Sequence, residues 1–282
     1  MYLRCNEGNP GVAYDSIEMA KKVHVISNGN ANNVRIDNLC IAYGGAHGIS
    51  AGKCDGLTVT NCEFKWIGGS IQTVITGNKY NRTWPTPYGN AVEIYGEAKN
   101  YTVDNCYIWQ AYDAAVTHQG SATGNLAVDN VRYTNNVIEK CVYAVEIFYG
   151  ESTNEKDVRS MNGTYVENNI LRMGGGFGHF QRPDVGVTAL IRNGGILNNT
   201  TNYIVKNNIF DRSLSKIIQA ANDGGSKAQY FDNIYVQAKN AIFCTRLGKT
   251  YNADANIGTN LAATNTETNP TYIIVGDIGF GK

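Results

Sequence analysis

A six-residue pattern, apolar–any–Asn–any–any–apolar, returns seven times along this chain and leaves few folds open to it. It reads Ile36-Asp37-Asn38-Leu39-Cys40-Ile41, Val59-Thr60-Asn61-Cys62-Glu63-Phe64 and Val103-Asp104-Asn105-Cys106-Tyr107-Ile108. It continues as Tyr133-Thr134-Asn135-Asn136-Val137-Ile138, Val166-Glu167-Asn168-Asn169-Ile170-Leu171, Val205-Lys206-Asn207-Asn208-Ile209-Phe210 and Phe231-Asp232-Asn233-Ile234-Tyr235-Val236. The Asn-to-Asn spacings are 23, 44, 30, 33, 39 and 26 residues, a period that marks stacked repeats. About ten residues after most of these Asn a second apolar stretch follows. Gly48-Ile49-Ser50, Ala91-Val92-Glu93-Ile94, Ala115-Val116-Thr117, Ala144-Val145-Glu146-Ile147 and Ala241-Ile242-Phe243 are the examples. Helical repeats need amphipathic runs of about ten residues, and none is present. A leucine-rich repeat would place Leu at most apolar positions, which here are mixed. A parallel β-helix remains: coils of two or three short strands, stacked at about 4.8 Å and paired strand to strand. Asn tolerates the left-handed backbone of a sharp bend, and its amide can bond the Asn of the next coil to form a ladder.

The expected fold is therefore an all-β solenoid with an Asn ladder and about seven to nine coils, in a single domain over 1–282. Residues 1–30 read as an irregular opening coil, 31–249 as the coils, and 250–282 as a tail that packs along the helix or covers its end. Excursions at Ser70–Asn90, Glu151–Gly163 and Gly174–Thr201 interrupt the period, and such loops gather on one, commonly binding, face. With 35 Asn, 31 Gly and 5 Pro the chain is built to turn often. The 24 basic residues balance 24 acidic ones, which argues against a nucleic-acid partner. No apolar run approaches the roughly 18 to 20 residues of a membrane span, and the chain as given shows no signal peptide. Seven cysteines without CxxC pairs or neighbouring His read as buried thiols, with no metal site.

Four segments carry a narrower likeness: Tyr43-Gly44-Gly45-Ala46-His47-Gly48-Ile49, Trp66-Ile67-Gly68-Gly69-Ser70, Tyr88-Gly89-Asn90-Ala91-Val92-Glu93 and Tyr112-Asp113-Ala114-Ala115-Val116-Thr117-His118-Gln119. With the ladder, the chain resembles the right-handed parallel β-helix, pectate-lyase-like superfamily of carbohydrate-active proteins over about residues 20–245. Over about 40–120 it is similar to bacterial β-helix glycoside hydrolases of the fucosidase/xylanase type. The resemblance implies an extracellular or periplasmic protein acting on a polysaccharide or oligosaccharide. No short motif fixes that family's catalytic pair here.

Aligning the second strands on Ala-Val puts Ser50, Glu93, Thr117 and Glu146 in one outward column, on strand faces exposed to solvent. Glu93 and Glu146, two coils apart, should then lie about 10 Å from each other. The coil between adds Asp113 at a turn and His118 at the strand end. Glycoside hydrolysis needs one protonated and one ionised carboxyl, about 5 Å apart for retention or about 6.5–9.5 Å for inversion. The catalytic candidates are thus Asp113 with Glu93 or Glu146, and His118. His47, Trp66, Trp84, Tyr88 and Tyr149 are candidate sugar contacts, as are His179, Arg182 and Asp184 in the third excursion. Each has an ordinary alternative: a turn-capping Asp, a packed His, a solvated Glu, an exposed aromatic.

The leading expectation is a glycoside hydrolase that uses no cofactor. A polysaccharide lyase or uronate epimerase is the alternative; Ca²⁺ enters only under that reading, and the sequence lacks the dense Asp run of a Ca²⁺ nest. A glycan-binding β-helix without catalysis is the third. The sequence leaves the oligomeric state open.

Overall fold

The computed structural model describes residues 6, 8–17, 19–75, 84–175, 188–220, 227–246, 248–262 and 267–276, and the statements below refer to these. The chain is all-β, and it visits three long parallel sheets in a fixed rotation. Sheet 1 runs from Ile26–Gly29 through Ile49–Ala51, Val92–Tyr95, Ala114–Gly120, Tyr143–Tyr149, Ala189–Gly195 and Lys216–Ala220 to Ile242–Arg246. Sheet 2 starts at Arg35–Asp37 and sheet 3 at Cys40–Ala42, and each later circuit of the chain adds one strand to each sheet in turn.

Alternation explains why each strand buries one row. In sheet 1, Ile49, Val92, Val116, Val145, Ile191, Ile218 and Cys244 stand in register and point into the core. Sheet 2 contributes Ile36, Val59, Val103, Tyr133, Val166, Val205 and Tyr230, and sheet 3 contributes Ile41, Phe64, Ile108, Ile138, Leu171, Phe210 and Tyr235. These rows meet in one continuous apolar cluster.

The bend from sheet 2 to sheet 3 divides between two residues the two jobs expected of one Asn. Asn38, Asn61, Asn105, Asn135, Asn168 and Asn207 hold φ between 51° and 59°, a left-handed backbone that Asn accepts at low strain. The buried ladder belongs to the next position, Asn136, Asn169, Asn208 and Asn233. Each side-chain oxygen there accepts a backbone N–H from the preceding circuit at 2.9 Å. Each amide donates to a sheet 2 carbonyl at 2.8–2.9 Å. Cys62 and Cys106 occupy the same position earlier in the stack, with thiols 3.8 Å from the carbonyls of Ile36 and Val59. The seventh copy of the sequence pattern is therefore one residue out of step. Asp232, with φ 53°, is the bend residue in register with Asn207, while Asn233 is a ladder residue.

The first excursion is an antiparallel hairpin, Ser70–Ile75 with Trp84–Tyr88. Part of the third excursion, Ala189–Gly195, is a full strand of sheet 1 that the pattern did not reveal. Beyond residue 249, Lys249–Asn252 folds back on sheet 1, while Glu267–Thr268 and Thr271–Val275 extend sheets 2 and 3. Six described cysteines are free, and Cys40 is the exposed one. No described helix is long and apolar enough to cross a membrane.

Candidate active site

The outward row of sheet 1 reads Ser50, Glu93, Thr117, Glu146, Arg192, Gln219 in register. Above it lies a cleft of about 300 Å³, lined among others by His47, Tyr88, Asn90, Glu93, Asp113, Gln119, Glu146 and Arg192. Glu93 and Glu146 keep only 6% and 4% of their surface. The expectation of solvated strand-face carboxyls is corrected here: side chains of neighbouring strands and of the hairpin wall them in.

Two amide donors hold Glu93, and His47 lies beside it. Its Oε2 accepts from the Asn90 amide and from Gln119 Nε2 at 2.7 Å, and its Oε1 lies 3.3 Å from His47 Nε2. The ring of His47 is fixed from behind, because its Nδ1 accepts the backbone N–H of Asn90 at 2.9 Å. A nitrogen that accepts carries no proton, so the proton of the neutral His47 ring sits on Nε2, 3.3 Å from Glu93 Oε1. The His24 ring stacks on His47 at 4.9 Å, and its own Nδ1 accepts the His47 backbone N–H at 3.2 Å. Burial, helped by His24, pushes His47 down to about 3, so the imidazole is neutral. Burial likewise pushes Glu93 up to about 7; the two amide donors oppose that rise and the Asp113 carboxylate adds to it. Both amide donors bond Oε2, so the proton is left to Oε1.

Glu146 has a different neighbour. Its Oε1 accepts from Arg192 Nη1 at 2.6 Å. The guanidinium in turn lies 4.7 Å from the Tyr143 ring and 5.4 Å from the Phe148 ring, a cation–π setting that fixes its place. A buried carboxyl bonded to a guanidinium is held ionised. Two Glu in one row, two strands apart, thus have unlike partners: uncharged amides for Glu93 and a guanidinium for Glu146.

The other sequence candidates are scattered. His47, Tyr88 and Asp113 join the cleft, and Tyr88 packs its ring edge-on against His47. His118 does not. It belongs to the inward row with Ile94 and Ile147, is fully buried, and has Nδ1 2.8 Å from the Tyr133 hydroxyl. Burial pushes it down to about 3, so it is a neutral core residue and takes no part in the cleft. Tyr149 is also turned inward, with its hydroxyl donating to the Gly96 carbonyl at 3.2 Å. Trp66 lies in a separate hollow. Trp84 opens the second hairpin strand, with its side chain outside the described residues, and His179, Arg182 and Asp184 lie outside them altogether.

Sequence reasoning missed Asn90, Gln119 and Arg192. Arg192 had a usable signal: Leu190-Ile191-Arg192 repeats the apolar–apolar–polar triplet of Ala144-Val145-Glu146. Among the described residues no group of three or more His, Cys, Asp and Glu is placed to hold a metal ion. Compared with known proteins, the chain matches no family model, no curated protein and no solved structure.

Proposed function

We propose that the three sheets wind as one right-handed parallel β-helix and that the chain hydrolyses a glycosidic bond in a polysaccharide or oligosaccharide. The rotation of the chain through sheets 1, 2 and 3 supports the winding, and crossovers between parallel strands are right-handed in nearly all cases. One observation carries the activity: two carboxyls of one cleft, Glu93 raised by burial among uncharged donors and Glu146 bonded to the Arg192 guanidinium. Glu93, charged with a proton near neutral pH, donates to the leaving oxygen. Glu146, kept ionised by Arg192, takes the proton of the attacking water. Two strand spacings separate their backbones by about 10 Å, and inversion uses carboxyls about 6.5–9.5 Å apart to seat that water. Asp113 serves by raising Glu93 through its charge.

The test is release of reducing ends from xylan, pectin, alginate and fucosylated glycans by the wild type and by Glu93→Gln. Cleavage of one of them, lost by at least about 100-fold in the variant, is the expected result. Unchanged turnover in the variant, or no release from any substrate, sinks the reading. Arg192 favours a second one, because a guanidinium in the cleft can neutralise a uronate carboxylate ahead of proton abstraction. A lyase also makes reducing ends, so the discriminating signal is ultraviolet absorbance from an unsaturated product on pectin or alginate.

A further inference from the structure

The bend from sheet 3 back to sheet 1 also uses left-handed residues: Tyr43, Trp66, Gln110, Lys140, Met173 and Arg212, with φ between 55° and 59°. Bulky side chains are poor choices for that backbone. Burial explains neither of the first two, since Tyr43 is 72% and Trp66 40% exposed. They stand on neighbouring circuits, joined by the bond from the Tyr43 N–H to the Lys65 carbonyl at 3.2 Å. Trp66 leans on Trp109 at 5.5 Å with the rings 64° apart, which steadies its face. Both rings border a hollow of about 510 Å³ whose lining carries no charged side chain. Met19 and Ala20 form one wall, and Gly45 and Gly68 let the backbone segments close up. A Cβ on Gly45 would lie 2.2 Å from the Lys21 carbonyl oxygen, and one on Gly68 would lie 2.8 Å from that of Tyr88.

We propose that this hollow is a neutral-sugar subsite in which Tyr43 and Trp66 stack a pyranose ring. The proposal rests on the glycan reading above and extends it: the ring belongs to the same glycan chain that reaches the carboxyl cleft. A pyranose offers an apolar C–H face to an aromatic ring and keeps its hydroxyls at the wet rim. An uncharged, open, aromatic-walled hollow matches that chemistry. Three exposed apolar side chains, Met19, Tyr43 and Trp66, fall far short of the roughly 20–30 residues a protein partner covers. The hollow and the cleft adjoin. The Gly69 N–H donates to the Tyr88 carbonyl at 2.9 Å. Lys22, two residues beyond Ala20 in that wall, donates to the Gln72 carbonyl at 2.9 Å and places its Nζ 5.9 Å from the Tyr88 ring. Tyr88 and Gln72 both line the cleft.

Asn suits left-handed bends, so Tyr43→Asn with Trp66→Asn removes both rings without opposing the backbone. The measurement is the Kd of xylohexaose, cellohexaose and mannohexaose for Glu93→Gln, with and without the two Asn substitutions, alongside the unfolding temperature. We expect at least one hexasaccharide to bind, at least tenfold weaker binding once the rings are gone, and an unfolding temperature equal or higher. Equal affinity with and without the rings, or binding of none of the three, overturns the subsite. Hydrolysis by the wild type together with ring-independent affinity removes the subsite and leaves the hydrolase. Ring-dependent affinity in a protein that cleaves no glycan does the reverse.

Discussion

Glu93 and Glu146 are the same residue type, in the same row of the same sheet, and are almost equally buried. What differs is the strand next door. Beyond Glu146 the row continues with Arg192, a cation bonded at 2.6 Å. Around Glu93 are His47, Asn90 and Gln119, all uncharged, with Asp113 adding negative charge. Desolvation penalises a carboxylate alike in both places, and only one has a full positive charge to offset it. A stacked sheet can therefore give two copies of one side chain unlike electrostatic surroundings through the residues beside each.

The largest effect expected is the loss of the acid. Glu93→Gln keeps the shape and removes the proton, and should lower turnover by about 100-fold or more, with the alkaline limb of the pH–rate profile gone. Glu146→Gln should also lower turnover, yet leave that limb in place near the Glu93 value of about 7. If both variants lose the same limb, the division of labour is wrong. Next in size comes Arg192→Met, which leaves Glu146 buried beside an aliphatic chain. Breaking a buried pair from one side costs about 3–5 kcal/mol, to be read from urea unfolding midpoints. Adding Glu146→Gln to the same chain should restore most of it. A wild-type midpoint for Arg192→Met alone would show that Glu146 does not depend on its cation.

A smaller effect separates the two carboxyls by pH. The folded-state value of Glu93 lies above the 4.5 of an ordinary Glu. Its contribution to stability is thus fully present below about 4.5 and is lost as the pH rises through about 7. Relative to the wild type, Glu93→Gln should gain about 3 kcal/mol between pH 4 and pH 8. A difference that stays flat over this interval, or runs the other way, contradicts a protonated Glu93. His47 works in the opposite sense on the acid side. Its lowered value means that stability present above about 6.5 is lost as the pH falls toward about 3.

Much of this was legible before any coordinates. The recurring Asn pattern placed the bend in six of its seven copies, and the Ala-Val alignment put Ser50, Glu93, Thr117 and Glu146 in one row, as the register has them. Alternation also settles His118, one of the catalytic candidates of the sequence. If Val116 points inward and Thr117 outward, then His118 points inward, and it does. The ladder was harder. Asn135 and Asn136 are adjacent and chemically identical, and only the hydrogen bonds show that the first bends the chain and the second stacks. Burial of the two Glu was not legible, because it depends on the hairpin and on neighbouring circuits that close over the row. Arg192 was harder to find for a related reason: its strand sits inside an interruption of the Asn period, where only the short triplet Leu190-Ile191-Arg192 marks it.

The finest distinction between the two carboxyls concerns uncharged donors. Gln119 Nε2 donates to Glu93 at 2.7 Å and helps hold its proton affinity down against burial. Gln119→Leu removes that bond, keeps similar bulk, and touches neither the Asn90 nor the His47 contact. The carboxylate form of Glu93 then has one donor fewer, and the alkaline limb of the pH–rate profile should move upward by about half a unit to one unit. Turnover at pH 6, where the acid is already protonated, should stay within about threefold of the wild type. The acid limb should not move, because Gln119 bonds Glu93, whereas Glu146 is bonded by Arg192. A shift of the alkaline limb downward would mean that Gln119 supports the protonated form, and a shift of both limbs would mean that the two carboxyls titrate as one coupled pair.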